Sequence, residues 1–435
     1  MARPPYPHSP SPGRHTALRK ALVPVALGAL LAGTLGAGSA TAAQDDDPGP
    51  VRVADAGTAA DRTEIAGTGV SIDLVEEDGT LLATATPDDV DEITDLGYDV
   101  DSVRLPDGAM QPDPGYTGYP EVVEQVDALA AAYPDLVHTE VYGQSYEGRD
   151  LVAVRISDDA EADQDRPEVL FTHSQHAREP LTVEMALHIM EMLTEGHGSD
   201  EQITELVQSR EIWVLPNTNP DGTEYDQSED TWQDWRKTRE PNEGSDALGT
   251  DMNRNWAYNW GCCNGSSGDP ESITYRGDAP ESATEVEALA DFVRSREVDG
   301  EQQITTAIDF HTFGELVLWP FGHTYDEVTD GMNQDEYDTH QALGELMAET
   351  NGYTPQQSSD LYITDGSIND WLWADQGIVN FTFEMYPSSM DDGGFYPPSD
   401  VIEEETARNE EPVLDLLDYA DCPYRIIGEE EAYCG

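Results

Sequence analysis

The chain has 435 residues and a formal net charge of −68, with 89 acidic residues against 21 lysines and arginines. Such a charge repels nucleic acid and anionic membranes, so we expect neither as a partner. Lysine is almost absent, occurring only at Lys20 and Lys237. Acidic enrichment along the whole chain indicates a surface adapted to a salty exterior, where dissolved ions screen the repulsion.

Residues 1–43 have the three parts of a secretory signal peptide. Arg19 and Lys20 precede an apolar run, and small residues close the segment near Ala42. The apolar run is too short to span a bilayer. We therefore predict that residues 1–43 are removed and that the protein is secreted into the extracellular space without a membrane anchor.

Residues 44–113 are predicted to be a propeptide. Residues 44–65 are rich in Asp, Gly and Ala, which is typical of a flexible segment. The pattern strand, helix, strand over residues 66–104 indicates a small α/β unit, and Gly, Pro and Asp over residues 106–119 indicate a linker. A separate accessory domain is the alternative. The position directly after a signal peptide favours a propeptide that covers a hydrolase site until it is cleaved.

Residues 114–435 alternate predicted strands with predicted helices. This alternation indicates an α/β fold with a mixed central sheet flanked by helices. The strands are predicted at residues 137–142, 151–156, 169–172, 212–216, 304–310 and 379–385. The helices are predicted at residues 121–130, 180–193, 283–294, 334–350, 367–375 and 400–419.

Candidate metal ligands follow directly on two of these strands. His176 and Glu179 are three residues apart after one strand, and His311 follows another. Open α/β sheets place ligands beyond the carboxyl ends of their strands. Catalytic zinc is typically held by three nitrogen or oxygen ligands, with a fourth position left for water. The three residues therefore predict a catalytic zinc site rather than ordinary polar side chains.

Three more segments complete a joint pattern. Arg236 lies in a predicted loop, Asn253 and Arg254 lie in a second loop, and Tyr362 precedes Glu384 by 22 residues. In this order, together with the His-x-x-Glu motif and the distant histidine, they resemble the zinc metallocarboxypeptidases of the carboxypeptidase A/B family. The nearest likeness is to the secreted bacterial carboxypeptidase T type. The similarity runs from about Tyr119 to the C-terminus and includes Cys262-Cys263 and the tail from Asp421.

The resemblance implies a role for each residue of the pattern. It implies that Glu384 is the general base and that Arg236 polarises the scissile carbonyl. Asp251 fits an acceptor that orients a zinc-bound histidine, and a turn aspartate that caps the local loop is the alternative. The resemblance also implies that one zinc ion is held by His176, Glu179 and His311. The terminal carboxylate of the substrate is expected to bind Asn253, Arg254 and Tyr362.

The sequence departs from the family pattern near the predicted substrate site. Phe313 stands where relatives commonly have tyrosine, so one hydroxyl is missing. Relatives that accept basic C-terminal side chains tend to carry an acid in the segment 366–370, where this chain has Ser367 and Asn369. Asp370 is interpreted as a structural residue. We therefore expect apolar or aromatic C-terminal residues in the substrate.

An acidic segment at residues 158–168 resembles the calcium loop of relatives from thermophiles. Arg166 replaces an expected acid there. Because acidic runs are usually only solvated in a chain of this charge, we favour a solvated surface over a calcium site.

Four cysteines in an exported chain predict two disulfides. Pairing of Cys422 with Cys434 would staple the C-terminal tail and leave adjacent Cys262 and Cys263 to pair with each other. A crossed pairing that ties this loop to the tail is the alternative.

These observations predict a secreted, monomeric zinc metallocarboxypeptidase that is made as a zymogen. Its substrates would be peptide or protein C-termini. A peptidoglycan or γ-glutamyl peptidase on the same fold is the first alternative, although it would be expected to carry a basic pocket residue in the segment 366–371. A non-enzymatic binding domain is the second, although such a domain would be expected to have lost Glu384 or a ligand.

Overall fold

The computed structural model describes residues 48–435, apart from residues 77, 106–108, 161, 163 and 165. The predicted signal peptide lies outside the described residues. Within the described ranges, every helix is too short or too polar to cross a bilayer.

The first part of the described chain, residues 49–102, forms a small antiparallel sheet with two helices. The strand order is β2-β3-β1-β4. Both helices begin with a capping box, in which Thr58 or Thr86 exchanges hydrogen bonds with an aspartate three residues later. The elements are β1 (Gly49–Val53), α1 (Ala59–Ala66), β2 (Ser71–Val75), β3 (Leu81–Ala85), α2 (Pro87–Leu96) and β4 (Val100–Ser102).

The predicted flexibility of residues 44–65 was wrong where the structure describes them. Strand β1 pairs with both β3 and β4, so it lies inside the small sheet. Val51, Val53 and Ile65 are buried. Burial of these few apolar side chains outweighs the polar composition around them, because local propensity is weaker than tertiary packing.

The rest of the chain forms a mixed sheet of eight strands flanked by helices, as the alternation predicted. The strand order is β13-β12-β14-β11-β7-β8-β6-β5. Its strands are β5 (Val137–Gln144), β6 (Asp150–Ile156), β7 (Glu168–His173), β8 (Glu211–Leu215), β11 (Ile304–Thr312), β12 (Leu316–Trp319), β13 (Thr354–Gln357) and β14 (Val379–Met385). A separate hairpin consists of β9 (Glu297–Val298) and β10 (Glu301–Gln302).

Helices cover both faces of this sheet. They are α3 (Tyr119–Ala132), α4 (Pro180–Gly196), α5 (Glu201–Ser209), α6 (Pro220–Asp226), α7 (Thr284–Ser295), α8 (Gln334–Asn351), α9 (Ser358–Leu361), α10 (Ile368–Ala374), α11 (Ile402–Ala407), α12 (Glu410–Tyr419) and α13 (Glu430–Tyr433). Four central strands pair in parallel, β14 with β11, β11 with β7, and β7 with β8. Parallel strands need cover on both faces, and β7 and β8 are buried along their whole length. Their carboxyl ends consequently meet at one edge of the sheet.

This region differs from the predicted elements in several places. Helices α5, α6, α9 and α13, strand β12 and the hairpin of β9 and β10 were not predicted. Two further differences have a local cause. The helix predicted over residues 400–419 is interrupted, and α12 starts anew with Pro412 in its first turn. A proline is tolerated there but not in a helix interior. Strand β13 was not predicted, because Pro355 and three polar residues lack the apolar pattern of a strand. It lies at the edge of the sheet, where proline is accepted.

All four cysteines are paired, and the crossed pairing is not formed. The adjacent Cys262 and Cys263 are bonded to each other, and Cys422 is bonded to Cys434. The second disulfide closes the C-terminal tail after α12, as one of the two sequence alternatives predicted.

The only lysine of the described ranges is buried. Lys237 is 6% exposed, and its ammonium group donates hydrogen bonds to the carbonyl oxygens of Pro270 and Ser272. The positive charge of the surface therefore comes from arginines alone, and acidic side chains outnumber them many times.

We expect salt to stabilise the protein. When sodium chloride rises from about 0.05 M to above about 1 M, the Debye length falls to about 3 Å, which screens repulsion between surface carboxylates. The thermal midpoint and the peptidase activity should both increase. Both are to be measured at constant free zinc, so that metal loss is not mistaken for unfolding. A melting temperature that stays flat or falls over this range would contradict the prediction.

Candidate active site

His176, Glu179 and His311 meet at the carboxyl ends of β7 and β11. Nδ1 of His176 lies 2.8 Å from one carboxylate oxygen of Glu179, and Nδ1 of His311 lies 3.0 Å from the other. The three side chains are buried, and one ligand atom from each lies within 4.8 Å of the others. Two imidazole nitrogens and one carboxylate oxygen form a set that suits zinc. Within the described ranges no other group of His, Cys, Asp and Glu converges in this way.

Local chain geometry brings the first two ligands together. Strand β7 ends at His173, and a short turn leads to helix α4, which has Pro180 in its first turn. Glu179 is the residue immediately before this helix. The turn therefore presents His176 and Glu179 on the same side, beyond the end of the strand.

Each histidine ligand also faces an aspartate through its other ring nitrogen. Nε2 of His176 lies 3.1 Å from Oδ1 of Asp251, which is the residue predicted to orient it. Nε2 of His311 lies 2.5 Å from Oδ2 of Asp309. A role for Asp309 was not predicted from the sequence. The spacing of Asp309 and His311 could have indicated the contact, because side chains two apart in a strand leave the same face of the sheet.

The loop that carries Arg236 lies against the Asp251 segment. The backbone N–H of Thr238 donates to the carbonyl oxygen of Thr250 at 3.0 Å. Nε of Arg236 donates to Oδ2 of Asp251, also at 3.0 Å. This ion pair holds the guanidinium group beside the ligand cluster.

Electrostatics favour the ionised form of two carboxyl groups in and beside the ligand cluster. Burial acts to raise the pKa of Glu179, but the two imidazoles outweigh it and hold the pKa well below its ordinary value. Burial acts in the same way on Asp251, and there the guanidinium of Arg236 outweighs it and lowers the pKa. Both carboxyl groups therefore stay ionised, which is the state that binds a cation.

Glu384 lies on β14 beside the ligand cluster. It pairs in register with His311 of β11 and lines the same cavity as His176 and Arg236. Burial raises the pKa of Glu384 to about 8 against the opposing effect of nearby positive groups. A bound zinc ion would lower this pKa, since its charge favours the carboxylate. A carboxyl group in such a site would both accept and release a proton near neutral pH.

The three residues predicted to bind the substrate carboxylate line this same cavity. Arg254 is 3% exposed, and its Nη2 donates to the hydroxyl of Tyr362 at 2.9 Å. Its Nε donates to the carbonyl oxygen of Gly265 at 3.0 Å, which fixes the guanidinium plane. Asn253 is adjacent, and its amide oxygen accepts from the backbone N–H of Ile368 at 3.0 Å.

Two aspartates near this cavity, Asp365 and Asp370, accept hydrogen bonds from backbone N–H groups. Asp370 accepts from the backbone N–H groups of Gly322 and His323, as its structural interpretation predicted. Asp365 accepts from the backbone N–H groups of Cys263 and Gly265. Neither aspartate lines the cavity, whose lining includes the neutral side chains of Leu318, Ser358, Thr364, Ser367, Asn369 and Thr382.

The N-terminal sheet reaches the same cavity. Ile72 and Asp73 of β2 line it together with the candidate catalytic residues. The guanidinium of fully buried Arg178, in the turn between the first two zinc ligands, donates to Ser71, Asp73 and Thr84 at 3.0–3.2 Å. A role for Arg178 was not predicted from the sequence, because no local pattern indicates a contact between residues about a hundred positions apart.

A buried His/Glu/His set, with a carboxylate and guanidinium groups beside it in a cleft, defines a zinc-dependent hydrolase. The chain belongs to the zinc carboxypeptidase family, because residues 122–411 match the family profile described as "Zinc carboxypeptidase" (Peptidase_M14). It is accordingly a zinc metallocarboxypeptidase, and its zinc is held by His176, Glu179 and His311.

Individual relatives agree with this assignment. The chain is 42% identical over 433 residues to a zinc carboxypeptidase of Saccharothrix mutabilis subsp. capreolus, covering 94% of this chain and 98% of the relative. It is 33% identical over 285 residues to carboxypeptidase A2 of Rattus norvegicus, covering 65% of this chain and 64% of the relative. The structure of carboxypeptidase A from Helicoverpa armigera superposes with a TM-score of 0.72 at 20% identity, covering 86% of this chain and 98% of that one. This last likeness shows the shared fold.

Proposed function

We propose that the chain is a secreted carboxypeptidase precursor in which Glu384 is the general base and the N-terminal unit blocks the substrate cleft. The observation that carries the proposal is a single cavity lined by two of the metal ligands, His176 and Glu179, together with Glu384, Arg236, Arg254 and Asp73. Bound zinc supplies Lewis-acid chemistry, which makes water more acidic and polarises a carbonyl oxygen. The steps that follow belong to the protein groups.

Glu384 and Arg236 divide the catalytic work. The carboxylate of Glu384 takes a proton from the attacking water and delivers it to the nitrogen of the leaving residue. Arg236 stabilises negative charge that develops on the carbonyl oxygen, because its guanidinium is fixed by Asp251 before the substrate arrives.

Arg254 gives the reaction its preference for a chain end. A guanidinium can bind a terminal carboxylate through two parallel hydrogen bonds. An internal peptide bond offers no such anion, and it would leave the buried guanidinium unpaired. Asn253 and Tyr362 complete the proposed carboxylate site. The neutral wall around Asn369 favours an apolar or aromatic terminal side chain over a basic one.

The proposed inhibitory role of residues 44–113 is supported by contacts on both sides of Tyr362. Arg62 donates to the carbonyl oxygens of Asp360 and Leu361 at 2.7 and 2.5 Å. Thr63 accepts from the backbone N–H of Ile363 at 2.9 Å. Tyr362 itself packs within the apolar cluster of the N-terminal unit. The unit therefore holds a substrate-binding segment and faces the cleft, as a propeptide would.

The second side of the cleft is covered by apolar contacts. Leu74 and Leu82 of the N-terminal unit pack with Phe313 and Phe395. Phe313 is the residue that replaces the family tyrosine, and it is 2% exposed in this arrangement. Removing the N-terminal unit would expose this aromatic pair to a bound peptide.

The remaining parts of the proposal come from sequence. Secretion follows from the pattern of residues 1–43, and the paired cysteines suit an oxidising exterior. The narrower likeness to carboxypeptidase T, a monomeric state and a catalytic domain of residues 114–435 belong to the same proposal. In the segment 158–168, part of which lies outside the described residues, Arg166 donates to Ser157 and Asp158, and we keep the solvated interpretation.

We expect the carboxylate site to decide the outcome of a substrate test. The activated enzyme should cleave a blocked dipeptide with a free terminal carboxylate and should fail on its amidated form. Arg254→Lys should lower kcat/KM about 10- to 100-fold, because loss of a charge-assisted hydrogen bond costs about 1.5–3 kcal/mol. Arg294→Lys is the matched control, since Arg294 pairs with Glu281 at the surface.

Two other outcomes of this substrate test would favour a different peptidase. Efficient cleavage of amidated peptides would favour an endopeptidase and overturn the proposal. Preference for a γ-glutamyl or peptidoglycan peptide would favour the alternative peptidase. A chelator should abolish the activity on every substrate.

A further inference from the structure

The ligand His311 has a carboxylate partner on its own strand. Asp309 precedes it by two positions in β11, so both side chains leave the same face of the sheet. Oδ2 of Asp309 is 2.5 Å from Nε2 of His311, while Nδ1 of the same ring faces Glu179 at 3.0 Å. The ring is thus held with Nδ1 directed to the metal ligands.

The Asp309 carboxylate is itself anchored by the strand and turn that carry the first ligand. Thr172 of β7 donates to Oδ1 at 2.6 Å, and the side-chain amide of Gln175 donates to Oδ2 at 2.6 Å. The indole N–H of Trp256 donates to the other end of Gln175 at 3.2 Å. Asp309 is 1% exposed. One buried carboxylate therefore ties the two ligand-bearing segments together.

The two aspartates behind the histidine ligands differ in their partners. Asp251 shares its charge with the guanidinium of Arg236. Across the described ranges no lysine or arginine forms an ion pair with Asp309, whose other hydrogen-bond donors, Thr172 and Gln175, are neutral. Among the described residues, the negative charge of Asp309 therefore acts mainly on the imidazole of His311.

We propose that Asp309 is a positioning residue of the zinc site, which fixes Nδ1 of His311 as the metal-binding nitrogen and strengthens zinc binding. A carboxylate that accepts the second N–H of a ligand imidazole sets the tautomer, orients the ring and makes it a stronger ligand. Because the carboxylate is fixed by Thr172 and Gln175, the His311 ring is oriented before the metal arrives.

The variant Asp309→Asn tests the charge with little change in shape. Its amide can turn the NH2 group toward the hydroxyl of Thr172 and keep its oxygen toward Gln175 and His311. Zinc affinity should nevertheless fall about 10- to 100-fold, in the range known for such partners of ligand residues. The affinity is measured on the full-length protein by competition with a chromogenic chelator. The thermal midpoint of the metal-free protein is the check on folding.

A matched control is Glu285→Gln, because Glu285 is another buried carboxylate and accepts from the backbone N–H of Tyr146. Its zinc affinity should equal that of the parent. An affinity of Asp309→Asn within about threefold of the parent, or an equal loss in Glu285→Gln, would overturn the proposal. If Asp309→Asn does not fold, Thr172→Val decides. It removes one anchor and keeps the charge, so several-fold weaker zinc binding supports the role and unchanged binding refutes it.

Discussion

Glu384→Gln should lose about 10²- to 10⁴-fold in kcat while it keeps its zinc and its substrate affinity. The amide has nearly the shape of the carboxyl group but cannot take a proton from water. The ligand set of His176, Glu179 and His311 is unchanged in this variant. Turnover of a blocked dipeptide, zinc content and binding of a competitive inhibitor are to be measured on the same preparation.

Measuring turnover and zinc content separately distinguishes loss of proton transfer from loss of the metal. Loss of zinc together with activity would mean that Glu384 supports the metal rather than the proton transfer. Near-normal turnover with zinc retained would refute the general-base assignment. Glu285→Gln again serves as the buried control, and it should leave kcat unchanged.

Activity should rise about 100-fold when the chain is cut between the N-terminal unit and α3. Such a change needs only about 2.7 kcal/mol of free energy to favour the covered cleft, an amount that the contacts of Arg178 and Arg62 can supply. The measurement compares the intact protein without residues 1–43 with the same protein cut at a protease site introduced into the segment 106–118. Protease treatment of the protein without that site is the control.

A second variant separates inhibition from folding. Asp73→Asn removes one charge from the group that surrounds Arg178, so the uncut protein should be measurably more active. The cut forms of the variant and the parent should then have equal activity, since Asp73 no longer covers the cleft. Full activity of the uncut parent would refute the zymogen proposal.

The sequence predicted those parts of the molecule that local patterns encode. Apolar runs revealed β7 and β11, and the ligands were found because they lie at or just beyond the carboxyl ends of these strands. Strand β1 and helix α1 were missed, since they depend on packing within the small sheet. The ion pair of Arg178 with Asp73 joins residues about a hundred positions apart, and no pattern in either segment predicts it.

The buried position of Lys237 has a practical consequence for chemical labelling. Reagents that acylate primary amines need an exposed, uncharged amino group, and the described ranges contain no other lysine. Burial also lowers the pKa of Lys237 to about 8, but its ammonium group is enclosed by two backbone carbonyls. Within the described ranges, a fluorophore or a solid support coupled through amines would therefore find no accessible lysine on the folded protein.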